Sequence, residues 1–388
     1  MRALPDGLFA SMVSLRRELH QHPELAWHER ESAFRVRSAL ATLGLSAETI
    51  AKTGLVAEIP GLREGPRIAL RADLDALPVS EATGLPFSSI RPDVMHACGH
   101  DVHSAMLFGA AALLLQAPPP LPVRLIWQPA EETGAGARVL RDAGVLDGVV
   151  AIYGGHVDNR YPAGMLVVSD GVVNASTDGF RVTLTGRGGH GARPHEAIDA
   201  LVAAAALVLA LQTVVSREVD PAEPAVLSIG TLRAGQAMNV IAETATLEGT
   251  FRAISSAVRE GIRASIGRIS HAIGEAHGVS VALELFDGTP PVHNTPEQAA
   301  LAREAAVAVV GQVQVTPMRG VNLGGEDFGW YLEKVPGAFI RFGAGRPGER
   351  MSAAHSSRFD VDEACLGVGA AWMARIATLA GERYNYGL

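Results

Sequence analysis

The sequence predicts an α/β protein in which a discontinuous catalytic-type domain, residues 1–175 and 289–388, carries a smaller insert at 176–288. Three observations predict it. In the outer segments, apolar runs of strand length alternate with longer Ala/Leu-rich stretches, and several of the strands end in an acid or a histidine. From about residue 178 the order becomes βαββαβ, the split-βαβ arrangement of a ferredoxin-like domain. Finally, 388 residues exceed the length over which a single core usually keeps growing.

In chain order, a helix is expected over 11–44, with Leu15, Leu19, Phe34, Val36, Leu40 and Leu43 near one face and a break at His22-Pro23. Buried strands are expected at 55–59 and 68–70, the second running into Arg71-Ala72-Asp73-Leu74-Asp75. A helix over 104–116 is stopped by the prolines at 118–120 and 122. Strand 123–127 delivers Gln128-Pro129-Ala130-Glu131-Glu132, and strand 149–153 ends in Gly154-Gly155-His156. Within the insert, strands at 180–184, 226–232, 245–252 and 279–286 alternate with helices at 197–215 and 256–277. The chain then returns to helix 296–310, a glycine-rich loop at 320–327, strand 339–343, Ala354-His355-Ser356 and a last helix over 362–381 that holds Cys365 in its middle.

Composition removes several function classes. Hydrophobic residues make up 48% and charged residues only 19%, which gives a globular chain with ample core. A net charge of −8 and the lack of a basic cluster argue against nucleic acid and anionic membranes. Lys52 and Lys334, the two lysines, lie outside any G-x-x-x-x-G-K-[ST] loop, so a P-loop site is excluded. Two cysteines are too few for a disulfide framework. Pro5 and Asp6 interrupt any signal-like start, and the apolar run 200–211 is too short to span a bilayer, so a cytoplasmic address is expected.

The densest chemistry lies at residues 95–103, Met-His-Ala-Cys-Gly-His-Asp-Val-His. Neither a solvated face nor a core selects cysteine, histidine and aspartate together at this density. Imidazole, thiolate and carboxylate are the ligand types of a transition metal such as Zn or Mn. Asp75, the pair Glu131-Glu132 and His156 follow three separate strands, which gathers them at the crevice of an open sheet.

Together these stretches resemble the metal-dependent aminoacylase/carboxypeptidase family, in particular its amidohydrolase branch of hippurate hydrolases and indole-acetyl-amino-acid hydrolases. The matching blocks are His20-x-x-Pro23-Glu24-Leu25, Arg71-Ala72-Asp73-Leu74-Asp75-Ala76-Leu77-Pro78, the 95–103 run and Gln128-Pro129-Ala130-Glu131-Glu132. After them come Gly155-His156, Gly188-Gly189-His190-Gly191-Ala192, Met238-Asn239-Val240-Ile241, Gly249-Thr250-x-Arg252, Gly325-Glu326-Asp327-Phe328 and His355-Ser356-x-x-Phe359-Asp360. They follow family order along nearly the whole chain.

The resemblance implies a zinc-exopeptidase-like catalytic domain with a mixed central sheet and an inserted ferredoxin-like lid and dimerisation domain. It implies Cys98, His100, Glu132, His156 and His355 as ligands of two divalent ions, Mn or Zn foremost and Co or Ni as alternatives. Five ligands exceed what one tetrahedral ion uses, in keeping with that set. Glu131 would be the general base, taking a proton from the attacking water and returning one to the leaving amine. Asp75 would fix a ligand imidazole, His190 would hold the developing oxyanion, and Asn239 and Arg252 would bind the substrate carboxylate. His96 and His103 are expected to support the ligands, and Cys365 to be an inert core thiol.

The implied reaction is hydrolysis of N-acyl amino acids, hippurate-like, N-acetyl or aryl-acetyl, by a homodimer or higher homo-oligomer built through the insert. A dipeptidase, a carboxypeptidase and a deacetylase of an amino-acid precursor share the chemistry and stay open, as does a binding protein that kept the fold. Trp127 replaces a smaller aromatic, Val157-Asp158-Asn159-Arg160 follows His156, and Ala242 stands where a proline is usual. These departures touch the acyl pocket and leave the base and the ligands in place.

Overall fold

The computed structural model describes residues 4–385. The chain divides into two compact units, one of Met1–Val173, Val292–Gly320 and Asp327–Leu388, the other of Asn174–Pro291 and Val321–Glu326.

The first unit begins with α1 (Leu8–Gln21) and α2 (Arg30–Thr42), with Pro23 in the irregular stretch between them. There follow β1 (Ala47–Ile50), β2 (Gly54–Ile59), β3 (Arg67–Asp73), α3 (His100–Gln116), β4 (Val123–Gln128), α4 (Gly136–Asp142), β5 (Val149–Pro162), β6 (Leu166–Val167) and β7 (Gly171–Asn174). The second unit holds β8 (Ser176–Thr185), β9 (Gly189–His190), α5 (Ala200–Thr213), β10 (Ala225–Ala234), β11 (Val240–Ile241), β12 (Thr244–Ala253), α6 (Ser256–His277) and β13 (Ser280–Asp287). The first unit is completed by β14 (Val292–Asn294), α7 (Pro296–Val310), β15 (Val315–Thr316), α8 (Gly329–Leu332), β16 (Gly337–Gly345) and α9 (Cys365–Asn385).

The first unit is an α/β fold around a mixed eight-stranded sheet of order β1-β2-β4-β3-β5-β16-β6-β15. Its centre is parallel, β4 with β3, β3 with β5 and β5 with β16, while β2 joins β4 antiparallel. Central parallel strands are covered on both faces, which is why Ile68–Leu70 of β3 and Val149–Tyr153 of β5 read as apolar runs rather than alternating ones. The two faces feed separate cores. Ile68, Leu70, Ala151 and Tyr153 point into one with α3 and α9, and Ala69, Val149 and Ile152 into another with Leu140 of α4 and Tyr331 of α8. A side chain such as Leu70, fully buried, contributes about 1.5–3 kcal/mol.

The second unit carries a four-stranded sheet of order β10-β12-β8-β13, antiparallel throughout. Phe180, Val182 and Leu184 alternate inward along β8 onto Ala203, Leu207 and Leu211 of α5 and Ile262, Ile266 and Ile269 of α6. Asp199 and Ser255 cap the two helices, accepting from Leu201 and Val202 N–H and from Val258 N–H.

Four differences from the sequence reading bear on function. Helix α3 starts at His100 rather than 104, so His100 and His103 share its first turns. Strand β5 runs through to Pro162, which places His156 inside a strand instead of after one. Cys365 opens α9 rather than lying mid-helix, and it is wholly buried. The apolar run at residue 200 continues through a π turn, so Ala200–Glu218 is long and apolar enough, by length and composition, to cross a membrane.

Candidate metal centre

The carboxyl ends of β3 and β4, the start of α3 and the middle of β5 meet in the first unit, and the side chains there are lone-pair donors. Cys98 Sγ lies 3.1 Å from His156 Nε2. Cys98, His100 and His156 form one cluster and Cys98, Glu132 and His355 another, each with ligand atoms within 4.8 Å of one another. The two share the sulfur. His355 Nε2 is 3.5 Å and His100 Nε2 3.9 Å from Glu132 Oε1.

Backbone contacts fix which nitrogen of each histidine faces the cluster. His100 Nδ1 donates to the Asp75 carbonyl at 2.8 Å and His156 Nδ1 to the Val157 carbonyl at 2.7 Å, so each Nε2 keeps its lone pair. His100 Nε2 and Glu132 Oε1 are buried with no hydrogen-bond partner. Two orphaned acceptors beside a sulfur and two further imidazoles, with no cationic side chain among them, fit a divalent-ion site. His355, half exposed, is held at φ 67° with its N–H on the Ala97 carbonyl at 2.7 Å.

Glu131 and Glu132 occupy a short 3-10 turn after β4. Asp75 accepts from both of their amides, Oδ1 from Glu131 at 3.1 Å and Oδ2 from Glu132 at 3.0 Å. Its backbone carbonyl holds His100, so one residue orients a ligand imidazole and the paired glutamates. Glu131 Oε2 lies 3.8 Å from His100 Nε2, and its Oε1 accepts from the Asp327 N–H at 3.4 Å.

Beneath the cluster, His103 is engaged at both nitrogens. Nδ1 donates to Asp73 Oδ1 at 2.7 Å, and Nε2 accepts the Val157 N–H at 2.8 Å, next to His156. Asp73 is bound by Arg71 at 2.7 Å, and Arg71 also reaches Gln128 and Asp327. On the opposite side of α3, Asp101 takes Arg16 Nε and His20 Nδ1, each at 2.9 Å. His96 is fully buried, and burial lowers its imidazole to about 4.

Burial pushes the Cys98 thiol well up, and the charge of Glu132 adds to it. Burial likewise raises the Glu132 carboxyl. Desolvation disfavours the His100 imidazolium, but Asp73 and Cys98 outweigh it and raise that group. The Cys98 thiol therefore holds a proton that a cation must displace. Titrating Mn or Zn into chelator-stripped protein in weak buffer is expected to acidify the solution, with affinity rising from pH 6 to pH 8. Uptake with no proton release would remove Cys98 from the ligand set.

His190, Asn239 and Arg252 all lie in the second unit. His190 and Asn239 are neighbours: β9 pairs with β11, and the Gly191 N–H donates to the Asn239 carbonyl at 2.8 Å. His190 Nδ1 accepts the Ala192 N–H at 3.1 Å, which leaves the proton of the neutral ring on Nε2. Arg252 sits apart from them on β12, its guanidinium pKa lowered by burial. Residues passed over in the sequence reading include Glu29, Arg71, Asp101 and Asp327. The last three stand inside quoted blocks, so their position was visible while their partners, far away in sequence, were not.

The chain resembles known proteins over almost its full length. The sequence model of peptidase family M20/M25/M40 matches residues 69–379. An N-acetyl-L-cysteine deacetylase of Bacillus subtilis is 39% identical over 358 residues, covering 92% of this chain and 84% of that protein. The IAA-amino acid hydrolase ILR1-like 5 of Arabidopsis thaliana is 37% identical over 384 residues, covering 96% and 87%. The crystal structure of the Bacillus subtilis YXEP protein, a dinuclear metal binding peptidase, superposes with a TM-score of 0.87 at 36% identity over 97% of this chain and 99% of that one.

Proposed function

The chain belongs to peptidase family M20/M25/M40 and is a metal-dependent hydrolase, and on that premise we propose that it hydrolyses the amide of N-acyl amino acids, releasing a carboxylate and a free amino acid. The observation that carries the reading is the pairing of Glu131 and Glu132 on one turn, with both carboxylates beside His100: one would serve as a ligand and its neighbour would move protons. Identity with an N-acetyl-L-cysteine deacetylase and an IAA-amino acid hydrolase supports small N-acyl amino acids as the substrate class.

Cys98, His100, Glu132, His156 and His355 would hold two divalent ions, Mn or Zn first and Co or Ni as alternatives. Bound there, the ions supply a lowered pKa for water and a polarised amide carbonyl. Glu131 takes the proton of the attacking water at its carboxylate and delivers it to the amide nitrogen as the C–N bond breaks. Asp75 keeps Glu131, Glu132 and His100 in fixed relation, so little reorganisation is needed during the reaction. His190 donates from Nε2 to the developing oxyanion, and Asn239 and Arg252 take the carboxylate of the amino-acid half.

The inserted domain, 176–288, is read as a ferredoxin-like lid and dimerisation domain. Its βαββαβ order supports the first part, and the exposed Leu201, Val202 and Leu209 of α5 support a homodimer.

The test is metal-stripped protein reconstituted separately with Mn, Zn, Co and Ni, assayed for amine release from N-acetyl amino acids, hippurate, an indole-acetyl conjugate and dipeptides. Metal-restored hydrolysis of one acyl class is expected. Full metal loading with no amine released from any of them would sink the proposal.

A further inference from the structure

Glu29 is fully buried and has no part in the reaction described above. It comes from the irregular stretch before α2, whose N-cap it is, so its backbone is fixed by a helix end. Its Oε1 accepts the Ala130 N–H at 2.8 Å, and its Oε2 takes the Thr53 hydroxyl at 2.7 Å. Ala130 is the residue immediately before Glu131, and it sits at φ 56°, a left-handed conformation that an alanine adopts only under constraint. The constraint is visible on both sides of the residue. Its carbonyl accepts the Thr133 hydroxyl at 2.9 Å and the Gly136 N–H at 3.2 Å, and its amide ends on Glu29. With Asp75 holding the next two amides, three consecutive N–H groups, of Ala130, Glu131 and Glu132, end on two buried carboxylates.

We propose that Glu29 is a positioning residue for proton transfer: by accepting the Ala130 amide it holds the left-handed turn that aims Glu131, a role that rests on Glu131 being the base. Without that acceptor the buried amide would be orphaned, and the strained peptide would relax by rotating, taking the direction of Glu131 with it. Burial raises the Glu29 carboxyl, and the nearby Asp75 adds to this. Charged or neutral, Oε1 remains an acceptor, so the hold does not depend on its ionisation.

The experiment compares Glu29→Ala, Glu29→Gln, Glu29→Asp and the double variant Glu29→Ala/Ala130→Gly in the metal-loaded full chain. Hydrogen exchange is read by mass spectrometry, alongside metal content and kcat and KM on the best substrate. Glu29→Ala is expected to lower kcat about 100-fold with KM nearly unchanged, the scale of a small misplacement of a reacting group. Amides at 128–134 should exchange at least ~10-fold faster while the rest of the chain and the metal content stay as they were. Glu29→Gln keeps an acceptor oxygen and should stay within about fivefold of the parent in kcat. The double variant should recover about tenfold over Glu29→Ala, because glycine takes this φ freely. If Glu29→Ala does not fold, Glu29→Asp, whose shorter side chain cannot span to Ala130, carries the same expectation.

Parental kcat in both the alanine and aspartate variants would overturn the proposal. So would unchanged exchange at 128–134, or a double variant no better than the single one. Glu131→Gln run alongside separates this from a failure of the assigned chemistry: if it retains turnover, the base assignment fails, while exchange at 128–134 still decides whether Glu29 holds the turn.

Discussion

Glu131→Gln is expected to keep the fold and a full complement of metal while losing about 10²–10⁴-fold in kcat, the usual worth of a positioned general base. The substitution is nearly isosteric. A glutamine oxygen can still accept the Asp327 N–H that the Glu131 Oε1 takes at 3.4 Å, and the backbone bond to Asp75 is untouched. What is lost is the ability to take up and return a proton. The five assigned ligand atoms belong to other side chains, and the amide keeps an oxygen beside His100, where Glu131 Oε2 lies 3.8 Å from Nε2, so metal content should not move. Metal analysis and a melting curve beside the steady-state assay check each part separately. A variant that turns over at the parental rate would remove Glu131 from its role; one that loses metal in proportion to activity would make it a ligand instead.

The adjacency that makes this prediction possible, Glu131 beside Glu132 after a strand, is local and was therefore legible in the sequence. So was the α/β alternation, because strands buried on both faces write themselves as apolar runs such as Ile68-Ala69-Leu70. The Cys98 and His100 pair was legible for the same reason. Less legible was the length of β5: its second half, from Gly154 to Pro162, is poor in apolar residues, and pairing with β16 keeps it extended. The early start of α3 was hidden by the ligand run itself, whose polar side chains carry no helical periodicity. Buried polar support was invisible altogether. Glu29 meets Ala130 across 101 positions and Arg16 meets Asp101 across 85, and no spacing rule reaches that far. The sequence displays which groups do chemistry more readily than which groups hold them.

Arg71→Met tests that holding layer and is expected to be the most destabilising single substitution among the supporting residues named here. Arg71 is 1% exposed, and its guanidinium is used in three directions at once. Nε donates to Gln128 Oε1 at 2.8 Å, Nη1 to Asp73 Oδ2 at 2.7 Å and Nη2 to Asp327 Oδ1 at 3.0 Å. Both carboxylates are fully buried. Methionine fills much of the volume but takes the guanidinium away from two buried carboxylates, a loss of about 3–5 kcal/mol. A urea unfolding midpoint measures it. Arg71→Lys should recover only part, since an ammonium cannot present a planar fork to partners lying in different directions. The damage should also reach the site, because Asp73 orients His103 and His103 holds the Val157 amide beside His156. Metal affinity is therefore expected to fall together with stability, and adding Asp327→Asn to Arg71→Met, which removes one of the two buried carboxylate charges, should restore stability more than affinity. Equal recovery of both would mean that the Asp73 branch does not position His156, and that Arg71 serves the fold alone.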